Sequence, residues 1–280
     1  MHMNNNDREK FKTLGPRAAY LVGRLYEQGK PVFSNADVME ITGLQPKSAR
    51  NFVASLVKRG VATRLKPGLF VLVPYELGFD REYLGNPYIV ARDLADRQKY
   101  FISHASAMDI HQMVTQPQFK IFVSVARSIR PRMVLGMEYH FVRCRPGHFF
   151  GIEKHWATKT DSVLVSDPER TIVDCLKLPQ HCGGLSEVAK GLWIKKYELD
   201  LDRLIQYALE VDIGAVIRRL GFLLETFQVA SSSQLFSLHQ RLTKSYALLD
   251  PVLPDEGRYL ARWRLRLNME PDELLALVRT

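Results

Sequence analysis

Long apolar runs are missing from this chain. No stretch reaches the roughly 18 residues that a membrane-spanning helix requires, so no membrane span is expected. The opening stretch, MHMNNNDREKFKTLG, is polar and charged and has no apolar core of the kind a secretory signal needs. Cysteine is scarce. Cys144, Cys175 and Cys182 are odd in number and lack paired-ligand spacing. They argue against a disulfide framework and for a reducing cytoplasm. Catalytic signatures are also absent: there is no GxxxxGK[ST] phosphate loop, no GxGxxG, no HExxH and no GxSxG elbow. Internal repeats and low-complexity segments are missing too.

What remains is an ordinary globular composition, 46% hydrophobic and 25% charged over 280 residues, long enough for about two domains. The charge is unevenly spread. Residues 1–75 hold twelve Lys or Arg against five Asp or Glu, whereas the remainder holds twenty-seven against twenty-five. Nearly all of the +9 net charge thus falls on the first quarter of the chain, the footprint expected where phosphates are to be neutralised.

That quarter contains SNADVMEITGLQPKSARNFVASLVKRGVATRLKPGLFVLV (34–73). Ser34 suits the cap of a first helix with Val38, Met39 and Ile41 on its apolar side, and Gly43 suits its end. Pro46 falls in the first turn of a second helix, where a missing N–H costs nothing. Ala49, Phe52, Val53, Leu56 and Val57 recur there at helical spacing as one buried stripe. Lys47, Asn51, Ser55 and Lys58 lie opposite, with Ser48 and Arg50 on the flanks. VATRLKPGLFVLVP then gives two strands around the basic turn Lys66-Pro67-Gly68. Preceded by a helix over Pro16–Gln28 and a short strand within 30–33, the segment reads as a winged helix-turn-helix. The expected DNA-binding residues are Gln45, Lys47, Ser48, Arg50, Asn51, Ser55 and Lys58 on the second helix, with Arg64 and Lys66 on the wing. Lys47, Ser48 and Asn51 would stand nearest base edges, Arg50 and Lys58 nearer phosphates. The competing reading is a solvated basic face, or a winged helix that binds protein; the charge asymmetry favours DNA.

The expected fold class is α+β: the winged helix-turn-helix over residues 1–75, then a mixed α/β domain over 76–280, sheet-rich in its first half and helical in its second. YELGFDREYLGNPY has the composition of a connector. Helices are expected at 89–94, 102–113, 168–178, 186–195, 202–210, 213–227, 232–242 and 271–279. Strands are expected at 120–126, 133–144, 149–157, 162–167 and 258–268.

Candidate chemistry in this second part does not converge. His104 and His111, two helical turns apart near Asp109, make a weak metal pair and are better read as polar positions on a packed helix. Cys175 reads as a core residue. Asp200-Leu201-Asp202 has the Asp-x-Asp spacing of a two-metal phosphoryl-transfer site, but no Gly-Ser turn precedes it and a helix follows, so one of the pair is a cap. In DPERT, Asp167 is expected to cap, Glu169 to meet the helix dipole and Arg170 to pair locally. No catalytic residue, metal or cofactor is therefore expected, and the chain is not expected to be an enzyme.

The order of elements, with ISHASAMDIHQM, SDPERTIVDCLKLPQHCGG, RRLGFLLE and LDP…RWRLRLN, resembles the AbiEi family from about residue 15 to the C-terminus. The resemblance implies the antitoxin of a type IV toxin–antitoxin system that also acts in abortive infection by phage. It implies an N-terminal winged helix that represses its own operon by binding inverted repeats in the promoter. Its partners would be double-stranded DNA, in two copies per operator, and a nucleotidyltransferase-like toxin countered without a stable complex. The alternative is a ligand-responsive transcriptional regulator whose C-terminal domain is a sensor.

Overall fold

The structure, a computed structural model, describes residues 14–77, 83–95, 98–114, 119–158 and 161–279. The charged N-terminal stretch and positions 78–82 of the expected connector lie outside the described residues. The chain divides into two compact units. The first comprises Met1–Arg97 with Arg132–Tyr139 and Trp156–Val163; the second comprises Gln98–Pro131, His140–His155 and Leu164–Thr280.

The first unit starts with α1 (Pro16–Glu27), which buries Ala18, Leu21, Val22 and Leu25. A short strand, β1 (Val32–Ser34), leads into α2 (Asn35–Thr42). Ser34 caps α2 reciprocally: its hydroxyl accepts the Asp37 N–H at 3.3 Å, and the Asp37 carboxylate accepts the Ser34 N–H at 2.6 Å. Gly43, at φ 68, ends the helix in the left-handed region that a side chain disfavours. α3 (Pro46–Lys58) buries Ala49, Val53 and Leu56, with Phe52 and Val57 packed at the margin of the same core. Each large apolar side chain so removed from water contributes about 1.5–3 kcal/mol. β2 (Ala62–Lys66) and β3 (Leu69–Leu72) form an antiparallel hairpin, and the sheet order is β1–β3–β2.

This unit continues past residue 75. A 3-10 turn (Tyr75–Leu77) is followed by α4 (Pro87–Leu94), capped by Asn86. The Tyr83 N–H donates to Thr63 Oγ1 at 2.9 Å, and Arg92 pairs with Asp161 at 2.9 Å. These bonds bring into the first unit residues that the sequence assigned to a connector and a second domain.

In the second unit β4 (Tyr100–Ile102) precedes α5 (His104–Ile110) and β5 (Lys120–Val125). Next along the chain come the hairpin of β6 (Arg132–Val134) and β7 (Met137–Arg143), then β8 (Ile152–Trp156) and β9 (Ser162–Ser166); of these, β6, the start of β7, the last residue of β8 and the start of β9 are counted with the first unit. The neighbour order is β7–β5–β4–β9–β8, with β4 antiparallel to β5 and parallel to β9. The helical half comprises α6 (Pro168–Lys177), α7 (Leu185–Lys195), α8 (Leu201–Val211), α9 (Gly214–Thr226) and α10 (Ser232–His239). It closes with β10 (Ala247–Leu248), β11 (Arg258–Leu260), β12 (Leu265–Leu267) and α11 (Pro271–Arg279), the three strands ordered β10–β12–β11. The architecture is mixed α+β, and the helical half has its own apolar core built on α6, α7, α8 and α9.

Three sequence expectations need correction. The run 133–144 is a hairpin, because Leu135 and Gly136 both have positive φ (46 and 78), the requirement of a tight two-residue turn. The run 258–268 is likewise a hairpin, turned through 261–264 with Arg264 at φ 51. The helix expected over 102–113 is confined to His104–Ile110, because Ile102 is held in a strand and Gln112 sits at φ 56.

Candidate nucleic-acid interface

α3 presents its polar side to solvent for a simple reason: its apolar stripe is consumed by the core. At about 100° per residue, Lys47, Asn51, Ala54 and Lys58 share one face, Ser48 and Ser55 flank it on one side, and Arg50 flanks the other. Gln45, Lys47, Ser48, Arg50, Asn51, Ser55 and Lys58 are all exposed, as is Arg64 on β2. Between Glu40 and Glu76 the chain has six Lys or Arg and no Asp or Glu. Elsewhere in the first unit, Glu27 is engaged by Arg24 and Asp37 by Lys30.

Two predicted members depart from the set in detail. Lys66 is half-buried and its ammonium donates to the Asp93 carbonyl at 3.2 Å, close to the end of α4. The cause is a bulge in β2 between Arg64 and Lys66, which breaks the two-residue alternation that would place both on one side. Arg50 lies back along its own helix, with Nε donating to the Pro46 carbonyl at 3.2 Å.

A groove of about 420 Å³ runs between α3 and the β2–β3 hairpin. Arg50, Ala54 and Val57 line one side, Arg64, Pro67 and Phe70 the other. Asn35 also lines it, and its Oδ1 is buried without a hydrogen-bond donor among the described residues. Sequence reasoning named the two arginines and missed the rest of the lining. Helix periodicity places Ala54 on the exposed face, but only the packed hairpin turns it into a wall.

The second unit's flagged residues are held in structural roles. His104 is buried at φ 54, and its Nδ1 lies 2.8 Å from the Ser103 hydroxyl. Ser124 donates to that hydroxyl at 2.9 Å. Burial pushes this imidazole down to about 4. Its ring stands edge-to-face with His181 at 5.3 Å. His111 is turned to the Ser166 carbonyl, with Nε2 at 2.6 Å. Among the described residues no three His, Cys, Asp or Glu side chains converge on a point that could hold a metal ion. Cys175 lies in the core, where burial raises its thiol.

Asp167 caps α6 by accepting the Arg170 N–H at 2.7 Å, and Asp200 caps α8 by accepting the Arg203 N–H at 3.1 Å. Glu169 reaches much further than a local dipole contact. Its carboxylate accepts the Asp200 N–H at 2.8 Å and pairs with Arg203 at 2.9 Å. Arg170 is 1% exposed, bonded to Asp174 at 3.0 Å and stacked 4.4 Å from the Phe150 ring centre.

No helix among the described residues is long and apolar enough to cross a membrane. The chain is similar to the crystal structure of the RV2827C protein from Mycobacterium tuberculosis, with a TM-score of 0.69 over 97% of each chain at 15% sequence identity. At that identity the likeness speaks for the fold alone. No model of a known protein family matches the chain, and no curated protein does.

Proposed function

We propose that the chain is a DNA-binding autorepressor and the antitoxin of an AbiEi-type toxin–antitoxin pair. The observation that carries the DNA half is the acid-free, solvent-facing cationic surface of α3 and Arg64. The order helix, strand, helix, helix, hairpin supports a winged helix-turn-helix, in which α3 enters the major groove. Lys47, Ser48 and Asn51 then meet base edges, while Arg50 and Lys58 meet phosphates. The antitoxin half rests on the sequence resemblance. The balanced charge of residues 76–280 suits contact with protein or RNA better than with duplex DNA.

Two measurements test this. Gel shifts with the upstream promoter against random DNA, at several salt concentrations, are expected to show preference for the promoter and a steep salt dependence; equal binding defeats the repressor. Co-expression with the nucleotidyltransferase-like toxin of the adjacent gene is expected to restore growth. The double variant Lys47→Ala, Asn51→Ala is expected to rescue equally well while losing the promoter. Failure of the unaltered chain to rescue defeats the antitoxin.

A further inference from the structure

The groove between α3 and the hairpin combines two features that a flat cationic face lacks. Its walls carry one guanidinium each, Arg50 from the helix and Arg64 from the strand, and no carboxylate pairs with either among the described residues. Guanidinium groups are planar forks that bind phosphate oxygens in pairs, and two of them across a cleft hold one phosphate from both sides. The rest of its lining is largely hydrocarbon: Ala54 and Val57 of α3, Pro67 of the turn and Phe70 of β3. Such a lining gives inorganic phosphate nothing, because that ion is hydrated on every side. It suits a phosphate that carries a sugar ring, whose C–H faces lose little on leaving water.

Asn35 adds a polar side chain to the lining. The volume of about 420 Å³ lies within the range of small-ligand sites, on the order of 300–1,000 Å³. Gly68 permits the tight turn at φ 80 and leaves the approach over the hairpin open.

We propose that this groove is a nucleoside-phosphate subsite, with Arg50 and Arg64 clamping the phosphate and the Ala54–Val57–Phe70 lining taking the sugar. The chemistry is shared by one strand of a DNA duplex and by a free nucleotide. As regards duplex, the inference rests on the DNA-binding reading and deepens it: the strand passes between helix and hairpin instead of lying across them.

The full chain is titrated with a random duplex over a salt series by fluorescence anisotropy, and with thymidine 5′-phosphate by amide NMR. Arg50→Ala and Arg64→Ala are each expected to lower the log–log salt slope by about one. Ala54→Phe, which fills the groove from an exposed position, is expected to weaken duplex binding at least about tenfold with an unchanged unfolding midpoint. Duplex binding that ignores all three substitutions overturns the subsite while leaving the DNA reading intact. Response of the duplex without shifts from the mononucleotide supports the subsite and assigns it to a strand. Shifts at Ala54, Val57 and Gly68 with the mononucleotide support it also for free ligand. If no duplex binds, the DNA reading fails, and the subsite falls with it unless the mononucleotide moves those amides.

Discussion

Arginine serves two opposite ends in this molecule. On α3 and β2 of the first unit, Arg50 and Arg64 are exposed and no carboxylate pairs with either among the described residues. In the second unit, Arg170, Arg218 and Arg219 are each at most 5% exposed. Arg219 donates to three backbone carbonyls, those of Leu176, Leu248 and Leu249, at 2.7, 3.0 and 2.9 Å. Burial lowers its guanidinium to about 10, against the raising influence of Asp250. Arg218 likewise ties α9 to the Thr243 and Ser245 carbonyls, at 3.3 and 2.8 Å. The buried Arg219 guanidinium, with Nε, Nη1 and Nη2 all engaged, stands in for secondary structure where chain segments meet. Like charges gathered on a surface give the fold only self-repulsion. Arg50 and Arg64 are therefore free of carboxylate partners among the described residues, whereas Arg219 is consumed by the fold.

Arg219→Met is the strongest way to break that contrast. It leaves three buried carbonyls without donors, and the expected loss is about 3–5 kcal/mol of unfolding free energy, read from urea denaturation. A loss under about 1 kcal/mol would show that the guanidinium is not what joins α9 to the segments around Leu176 and Leu249.

The motifs that mark the family resemblance belong largely to this buried frame, which explains both what the sequence revealed and what it hid. Caps and breakers were legible because they act within a few residues: Ser34, Gly43, Pro46, Asp167 and Asp200 all stand where local chemistry places them. Long-range partners were not. Glu169, expected to act on its own helix, bonds the Asp200 N–H thirty-one positions away. The face of α9 was equally opaque, since Val216 to Leu224 are buried without interruption and no amphipathic period remains to be read. Gly221 on that helix is required by Trp263, whose ring atoms lie as close as 2.1 Å to where a Cβ would stand. The hairpins at 135–136 and 261–264 escaped notice because Leu and Arg occupy turn positions that Asn or Gly usually signals. At the candidate interface the exposed face of α3 was legible from periodicity alone. The groove was not, because half of it belongs to another element.

Acid sharpens the same contrast. His104 is neutral when folded, its imidazole pushed down to about 4 by burial, with His181, Lys177 and Arg170 lowering it further against the opposing Asp174. The unfolded chain protonates this group near pH 6.5. Its depressed folded value means that stability is full above about pH 6.5 and falls as pH drops toward 4, by about 3 kcal/mol in total. His148 and His181, both lowered chiefly by burial, act in the same direction. Urea midpoints measured from about pH 7.5 to about pH 4.5 are expected to fall, and to fall less in His104→Gln if that variant folds. A midpoint flat across this window contradicts a neutral buried imidazole. The acid response is expected to fall on the second unit, which holds His104, His148 and His181.

The smallest effect on stability is expected where the effect on binding is most specific. Lys47 is exposed at the start of α3, on the face with Asn51 and Lys58. Lys47→Ala removes no buried contact and replaces lysine with a better helix former, so the unfolding free energy is expected to stay within about 0.5 kcal/mol. Binding should respond differently according to what the ammonium meets. If it meets phosphate, all duplexes weaken alike and the salt slope drops by about one; if it meets a base edge, about 1–3 kcal/mol is lost on the promoter and little on random DNA. The second outcome is expected, because Lys47 lies in the first turn of α3, the end of a recognition helix that reaches base edges. Unchanged binding to both would return α3 to a solvated basic face and remove the distinction between the two sets of cations.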